Sequence, residues 1–375
     1  MIYFDNAATT KPDKLCVMKA EKYLLDDFYN PSALYSEGYA VSTQLKQAAL
    51  NILTRIADAN AFNLIFTSCG TEADNQAVFC GGRRGNVVTT LGEHSAVNSA
   101  VNELKQRGIE VRFADLNDDG TVNEQHLLSL VDDKTSLVSV IHVNNETGAI
   151  NDILSIAKRI KLKNQYTLFH SDGVQAYGKI NFKLSRDVDL YSVGAHKIGG
   201  IKGCGALIKR KNLIIKPYIY GGGQQQGLRS GTENIFGIKC FEYAALNRYE
   251  NLQENFEIVK KINETVRSGL DKNLFGFISN SNCSPYILTV FTDGVRGETI
   301  LHEADDNGLI IGTGSACSSN SNKRYSRVIL ACGYRESVAD GILRLSFSPE
   351  NTVDEANQAV EILNRIVKHR KEIVG

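Results

Sequence analysis

The sequence predicts an α/β fold, a large domain with a mostly parallel sheet flanked by helices, joined to a smaller α+β domain. Three observations carry this. Apolar runs of strand length alternate with helical spacing through roughly the first 235 residues. Those runs are apolar at nearly every position, which suits strands covered on both faces of a sheet. Beyond them the alternation gives way to a different texture, and 375 residues exceed one average domain.

Taken in order, "NLIFTS" (63–68), "NVVTT" (86–90), "LVSVIHV" (137–143), "YTLFHSD" (166–172), "DLYSV" (189–193) and "CGALIK" (204–209) read as strands. Residues 71–81, 94–107, 123–131 and 152–163 carry helical spacing between them. A long helical stretch over 236–270 then leads to a strand at 284–292 and a helix near 297–307. A polar loop, a helix near 325–332, a strand at 342–348 and a last helix over 352–370 follow. The expected division is 14–248 for the large domain, with 1–13 and 249–375 forming the small one. No repeat, low-complexity tract or Pro/Ser-rich linker marks the boundary.

Composition excludes several classes. Lys+Arg and Asp+Glu each number 42, so no net charge steers the chain to nucleic acid or a membrane surface. "MIYFDNAATT" lacks a basic n-region and an apolar h-region, and no apolar run reaches membrane-spanning length. A cytoplasmic protein is expected. The eight cysteines form no C-x-x-C pair and no Cys/His cluster, so neither a disulfide framework nor a metal site is expected. "DLNDDGTVNEQH" (115–126) begins like a calcium loop but carries His126 where a bidentate Glu is needed, so it reads as a turn.

In open α/β sheets, ligands bind beyond the carboxyl ends of the strands. Here five successive strand ends deliver polar groups of different kinds. "CGTEADN" (69–75) offers Gly70 and Thr71 at a helix start, a seat for an anion. "LGEHSAV" places His94 at the next helix opening, and "NNETG" (144–148) brings two adjacent amides, including Asn145. "SDGVQ" supplies Asp172 and Gln175, and "GAHKIGG" supplies His196 and Lys197. Singly, each has a bland reading as a cap, turn or solvated residue. Together they make a phosphate seat, an aromatic ring, a carboxylate, amides and an amine. That set matches pyridoxal phosphate, which needs a Schiff-base lysine and a carboxylate at its pyridinium nitrogen.

The segment "GTGSACSSN" (312–320) adds a cysteine among small residues that cannot bury it, although cysteine is among the most buried residue types. Either Cys317 is incidental, or the loop exists to carry a thiol.

These residues resemble a cysteine desulfurase of the NifS/IscS type, within the fold-type I (class V aminotransferase-like) pyridoxal phosphate enzymes. The resemblance runs in order through "FDNAATT" (4–10), "FTSCGTEADN" (66–75), "EHSAV" (93–97), "VNNETGAI" (143–150), "HSDGVQAYGK" (170–179), "AHKIGGIKGCGAL" (195–207), "GGGQQQGLRSGTEN" (221–234), "GSACSS" (314–319) and "LRLSFSPENT" (343–352). It implies that Lys197 forms the Schiff base, that Asp172 pairs with the pyridine nitrogen and that His94 stacks on the ring. Gln175 and Asn145 would address the ring hydroxyl and the substrate. Gly70, Thr71 and His196 would hold the phosphate, joined by Thr232 from the partner subunit of a homodimer. Arg344 would grip the carboxylate of L-cysteine, for which a planar fork is suited. Cys317 would take the substrate's sulfur as a persulfide, release alanine and pass the sulfur to an acceptor protein for iron–sulfur cluster or thio-cofactor biosynthesis. A selenocysteine lyase, a β-eliminating lyase and a cofactor-weakened regulatory homologue are the alternatives on the same fold.

Three positions depart from the family pattern. Gly194 stands where a phosphate-binding serine is usual, with Ser192 as a candidate replacement. Cys69 stands where a glycine is usual, and "NKRYSR" (322–327) where Glu-Pro-Ser is common.

Overall fold

The computed structural model describes residues 1–278, 282–314 and 325–374; Cys317 lies outside them. The chain opens with β1 (Ile2–Tyr3), α1 (Lys14–Ala20), α2 (Lys22–Leu25) and α3 (Ser36–Leu53). Alternation follows: β2 (Phe62–Thr67), α4 (Gly70–Gly81), β3 (Asn86–Thr90), α5 (Ser95–Gln106), β4 (Glu110–Ala114), α6 (Glu124–Leu130), β5 (Thr135–Ser139), α7 (Ile153–Lys163) and β6 (Leu168–Asp172). β7 (Leu190–Gly194) and β8 (Gly205–Arg210) complete the main sheet, after which come α8 (Ile235–Glu250) and α9 (Leu252–Gly269). The remainder is β9 (Gly276–Phe277), β10 (Ile287–Phe291), α10 (Gly297–Asp306), β11 (Leu309–Ile310), α11 (Arg327–Ala331), α12 (Glu336–Asp340), β12 (Ile342–Ser346) and α13 (Val353–Val374).

The main sheet has seven strands in the order β2-β8-β7-β6-β5-β3-β4. Every pair from β7 to β4 is parallel, and β8 runs antiparallel to both its neighbours. The expected mostly parallel α/β sheet is what forms. β3 and β7 are buried at every position, as strands with helices on both faces must be. β4, absent from the sequence reading, is the opposite case: an edge strand exposed or half-buried at four of its five positions, with polar residues where a strand signal would need apolar ones.

Helix starts follow local chemistry. Asn123, Asp152 and Asn234 each cap a helix by accepting an N–H from the first turn, so α6, α7 and α8 begin where a short polar side chain precedes the apolar spacing. The expected single helix over 236–270 is two helices, broken at Asn251, which leaves helical geometry (φ −110°, ψ 20°). The cause lies in packing. α8 buries Ile238, Phe241 and Ala245 against the main-sheet core, while α9 buries Val259, Ile262 and Val266 in a second core with β10, β12 and α13. One straight helix cannot face both. The first core draws on residues 16–245 and the second on 2–4 and 259–367.

At the carboxyl end of the sheet two glycines meet across β7 and β8, Gly194 opposite Gly205. A Cβ on Gly205 would stand 2.6 Å from the Cys69 carbonyl carbon and 2.9 Å from Gly70 N. The missing side chain is what lets the start of α4 lie against the sheet. Gly205→Ala is therefore expected to destabilise the fold by roughly 1–3 kcal/mol and displace the Cys69–Gly70 turn, because the obstruction is backbone and cannot rotate away. Denaturant unfolding together with amide exchange at Gly70 and Thr71 measures both effects.

The core also encloses two histidines. His142 Nδ1 lies 2.8 Å from the Tyr191 hydroxyl, and His170 lies between Ser139 Oγ (2.9 Å) and Ser192 Oγ (3.0 Å). Burial lowers both from the ordinary 6.5 to about 3. The unfolded chain therefore binds these protons first, and stability falls as pH drops below about 6.5, until it levels near 3. Each histidine contributes a slope of up to ~1.4 kcal/mol per pH unit. Glu93 has the opposite sign: burial raises it from 4.5 to about 8, so its contribution is lost as pH rises through that interval. Urea unfolding between pH 4 and 6 (roughly the window these shifts define) is expected to show the histidine slope, reduced by one proton in His142→Gln.

Candidate active site

The carboxyl ends of β2, β3, β5, β6 and β7 open onto a cavity of about 310 Å³. Its walls include Gly70, Thr71, His94, Asn145, Asp172, Gln175, His196, Lys197 and Arg344, so nine of the residues singled out in the sequence come together there. Ala7 and Ala8 from the N-terminal segment line it as well. Thr232 is exposed and is not part of this wall.

The anion seat is the start of α4. Cys69 occupies the N-cap in an extended conformation and makes no side-chain capping bond, so it leaves first-turn N–H groups uncapped on the cavity side. Gly70 faces Val174, whose Cγ2 would be 2.7 Å from any Cβ, and so must be glycine. Beneath this turn Arg229 grips Glu72 through two bonds (2.9 and 3.2 Å), tying the 221–234 loop to the helix. Gly194 has room to spare. A Cβ there would sit 3.5 Å from Val174 and 3.8 Å from His196, at ordinary contact distance. Ser192 does not replace the missing hydroxyl: it is fully buried below the cavity and bonded to His170.

His94 caps α5, its Nδ1 accepting the Ala96 N–H at 3.2 Å. That bond leaves the other ring nitrogen, Nε2, to hold or move a proton. Burial lowers the pKa of His94, so the ring is neutral near pH 7. Asp172 is buried, with Oδ1 accepting from Val174 N at 2.9 Å, and burial raises its pKa. His196 pairs with Thr9 Oγ1 at 3.2 Å and is lowered to about 3, chiefly by burial and then by Lys197. Lys197 Nζ donates to the carbonyls of Ala7 (2.5 Å) and Ala8 (2.6 Å).

Of the two adjacent amides, only Asn145 serves the cavity. Asn144 spends its side chain on Gly92 O and on the N–H groups of Glu146 and Thr147, which shapes the 144–148 turn. Arg344 is 2% exposed; Nη1 donates to Asn145 O (3.0 Å), Nη2 to Asp5 (2.8 Å), and Nε is buried without a hydrogen-bond partner among the described residues.

Sequence reasoning missed the residues that hold these in place. Lys179 Nζ donates to Gln175 Oε1 at 2.7 Å while Gln175 Nε2 donates to Ala7 O at 2.9 Å. The amide orientation is thus fixed from both ends. Lys179 is buried, with its pKa pushed well down by desolvation and then by the cations Lys197, Arg248 and Arg344. Asp74, one turn into α4, also faces the cavity. Both lie inside stretches that carry the resemblance, Asp74 in 66–75 and Lys179 in 170–179, but neither follows directly on a strand end, which is the marker that picked out the others. Described residues on either side of 315–324 bond beside the cavity wall. Gly312 exchanges backbone hydrogen bonds with Arg344 (2.9 and 2.8 Å), and Ser326 Oγ donates to Glu146, next to Asn145, at 2.5 Å.

Comparison with known proteins agrees with this geometry. The aminotransferase class-V family matches residues 2–358. Cysteine desulfurase IscS of Clostridium botulinum is 34% identical, spanning 99% of this chain and 96% of that protein. A cysteine desulfurase of Nostoc sp. is 31% identical over 100% of this chain and 94% of its own length. Among solved structures, a NifS-like protein superposes with a TM-score of 0.92 at 30% identity, covering 98% of this chain and 99% of its own. The NifS-like protein of Rickettsia africae gives 0.90 at 29% identity, with the same coverage. With the cavity built as described and the likeness running end to end, the chain belongs to the aminotransferase class-V family, among the proteins named cysteine desulfurases.

Proposed function

We propose that the protein is a pyridoxal 5′-phosphate-dependent L-cysteine desulfurase that transfers the substrate's sulfur to Cys317 as a persulfide and releases L-alanine. The observation that carries this is the convergence on one cavity of an amine, a buried carboxylate, an imidazole, an oriented amide and an uncapped helix start. The cofactor fits that donor set. Lys197 would hold its aldehyde, Asp172 its ring nitrogen and Gln175 its ring oxygen, with Gly70, Thr71 and His196 around the phosphate. Arg344, with a buried Nε that finds no hydrogen-bond partner among the described residues, suits a carboxylate. When bound, pyridoxal phosphate supplies an electron sink for the substrate's α-carbon.

The chain's own residues supply the rest. Arg344 and Asn145 orient the amino acid, and His94 Nε2 holds or moves a proton at the substrate or at the Cys317 thiol. The Cys317 thiolate forms an S–S bond as the substrate's C–S bond breaks; carbon takes a proton, and alanine leaves. The anchors at Gly312 and Ser326 support this role, since both attach beside residues of the cavity wall.

A homodimer is part of the same reading. Leu24, Leu25, Phe28, Leu34, Tyr35 and Tyr39 are exposed on and between α2 and α3, an apolar surface that a partner would cover. Thr232, exposed and off the cavity wall, would then serve the partner's phosphate. No helix among the described residues is long and apolar enough to cross a membrane. The reading places the enzyme in the cytoplasm, passing sulfur to an acceptor protein for iron–sulfur cluster or thio-cofactor biosynthesis.

With pyridoxal phosphate and L-cysteine, the purified protein is expected to yield alanine and a persulfide on Cys317 in step, and Cys317→Ala neither. Undiminished sulfide from Cys317→Ala would turn the reading to β-elimination. Lys197→Ala is expected to lose the visible Schiff-base absorption. Gly194→Ser is expected to keep the fold and bind pyridoxal phosphate about tenfold more tightly, the worth of one hydrogen bond to a charged group. Equilibrium dialysis measures it.

A further inference from the structure

Asp172 is not the only carboxyl at the floor of the cavity. Asp74 is 1% exposed, lines the same cavity, and brings a carboxylate oxygen within 4.8 Å of ligand atoms of both Asp172 and His94. Its Oδ1 has no well-formed hydrogen-bond partner among the described residues, and the Ser192 hydroxyl acts as a donor toward the carboxylate. The groups facing it are Cys69 on its own helix, Glu93 and His94 before α5, His170 and Asp172 on β6, and Ser192 on β7. None of these is a lysine or arginine, and among the described residues Asp74 forms no ion pair with one, while Asp172, the other member of the pair, has Lys197 as a nearby cation. His170, with Nε2 at 3.5 Å, is held neutral by burial and cannot serve as the counter-cation. Two carboxylates this close, both out of water, do not ionise together.

We propose that Asp74 and Asp172 hold one proton between them, and that this proton passes to the pyridine nitrogen of the cofactor when the ring docks at Asp172. The inference rests on the pyridoxal phosphate reading above. The transfer balances within the site. For a ring that arrives with its nitrogen unprotonated, the pair carries one negative charge and the nitrogen none before docking; afterwards the pair carries two and the nitrogen one positive charge. The N–H bond forms as an O–H bond of the pair breaks, and no proton is drawn from solvent. Arrival of the positive nitrogen is what allows the second carboxylate to ionise. Raised pKa values for both carboxyls, caused first by burial, agree with the geometry.

The test uses pyridoxine 5′-phosphate, which has the ring and phosphate but no aldehyde, so that Schiff-base protons do not intrude. Binding to the full chain, freed of cofactor, is followed by calorimetry in buffers of different ionisation enthalpy, at a pH above the ring nitrogen's own pKa. The wild type is expected to take up no proton and Asp74→Asn about one, the number a single lost donor implies. Infrared difference spectra of the wild type alone are expected to lose one protonated-carboxyl band on binding, a readout that stands even where Asp74→Asn does not fold. Equal uptake by the two proteins, or a carboxyl band unchanged through binding, overturns the proposal. Failure of the wild type to bind either pyridoxine or pyridoxal phosphate would instead remove the reading on which it rests.

Discussion

One backbone carbonyl organises the cavity. The oxygen of Ala7 accepts from both Gln175 Nε2 and Lys197 Nζ, the two side chains that most need a fixed direction. The segment carrying it is fastened on one side to β12, where Ala7 N meets Ser346 Oγ (2.8 Å) and Asn6 Nδ2 meets Ser346 O (2.9 Å). On the other side Thr10 N meets His196 O at 2.9 Å. A short N-terminal strap therefore ties the second core to the main sheet, and the Lys197 amine is held by the strap rather than by the sheet alone. Phe4, fully buried against Phe347, sets how deeply the strap sits.

The chemistry of the site comes from burying polar groups in unequal company. Asp172 and Asp74 lie close together out of water with Lys197 as a nearby cation to Asp172, His94 and His196 are held neutral, and the pKa of Lys179 is pushed well down by burial and then by three neighbouring cations. Such an arrangement costs stability, since each group would be better solvated in water. Its result is a cavity in which protons are scarce and directed, which general acid–base work requires.

Much of this was legible in the sequence, for a simple reason. In a parallel sheet every strand ends on the same side, so the polar residue following each apolar run belongs to one place, and His94, Asn145, Asp172 and Lys197 could be gathered without coordinates. What stayed hidden had no such marker. Lys179 reads as a surface lysine after a glycine, and Asp74 as a charged position on an ordinary helix, because tertiary packing alone buries them. β4 was lost because an edge strand need not be apolar. The break at Asn251 was lost because helical spacing continues on both sides of it while the buried face turns. Ser192, a candidate substitute phosphate donor, shares the face of Gly194 but sits two residues deeper in β7, where it is buried and bonded to His170, and how deep a strand position lies is not something composition reveals.

The break at Asn251 has a mechanical meaning. Among the described residues, the main chain passes from one core to the other between Phe4 and Cys16 and between Ala245 and Val259. At the second passage two helices are each sunk in a different core and coupled through one residue outside helical geometry. Any rotation of the halves about each other must be taken up at these two joints, and the first of them contains the very carbonyl that steers Lys197. Opening or tightening the molecule would thus re-aim the amine directly, coupling shape to reactivity through a few torsion angles.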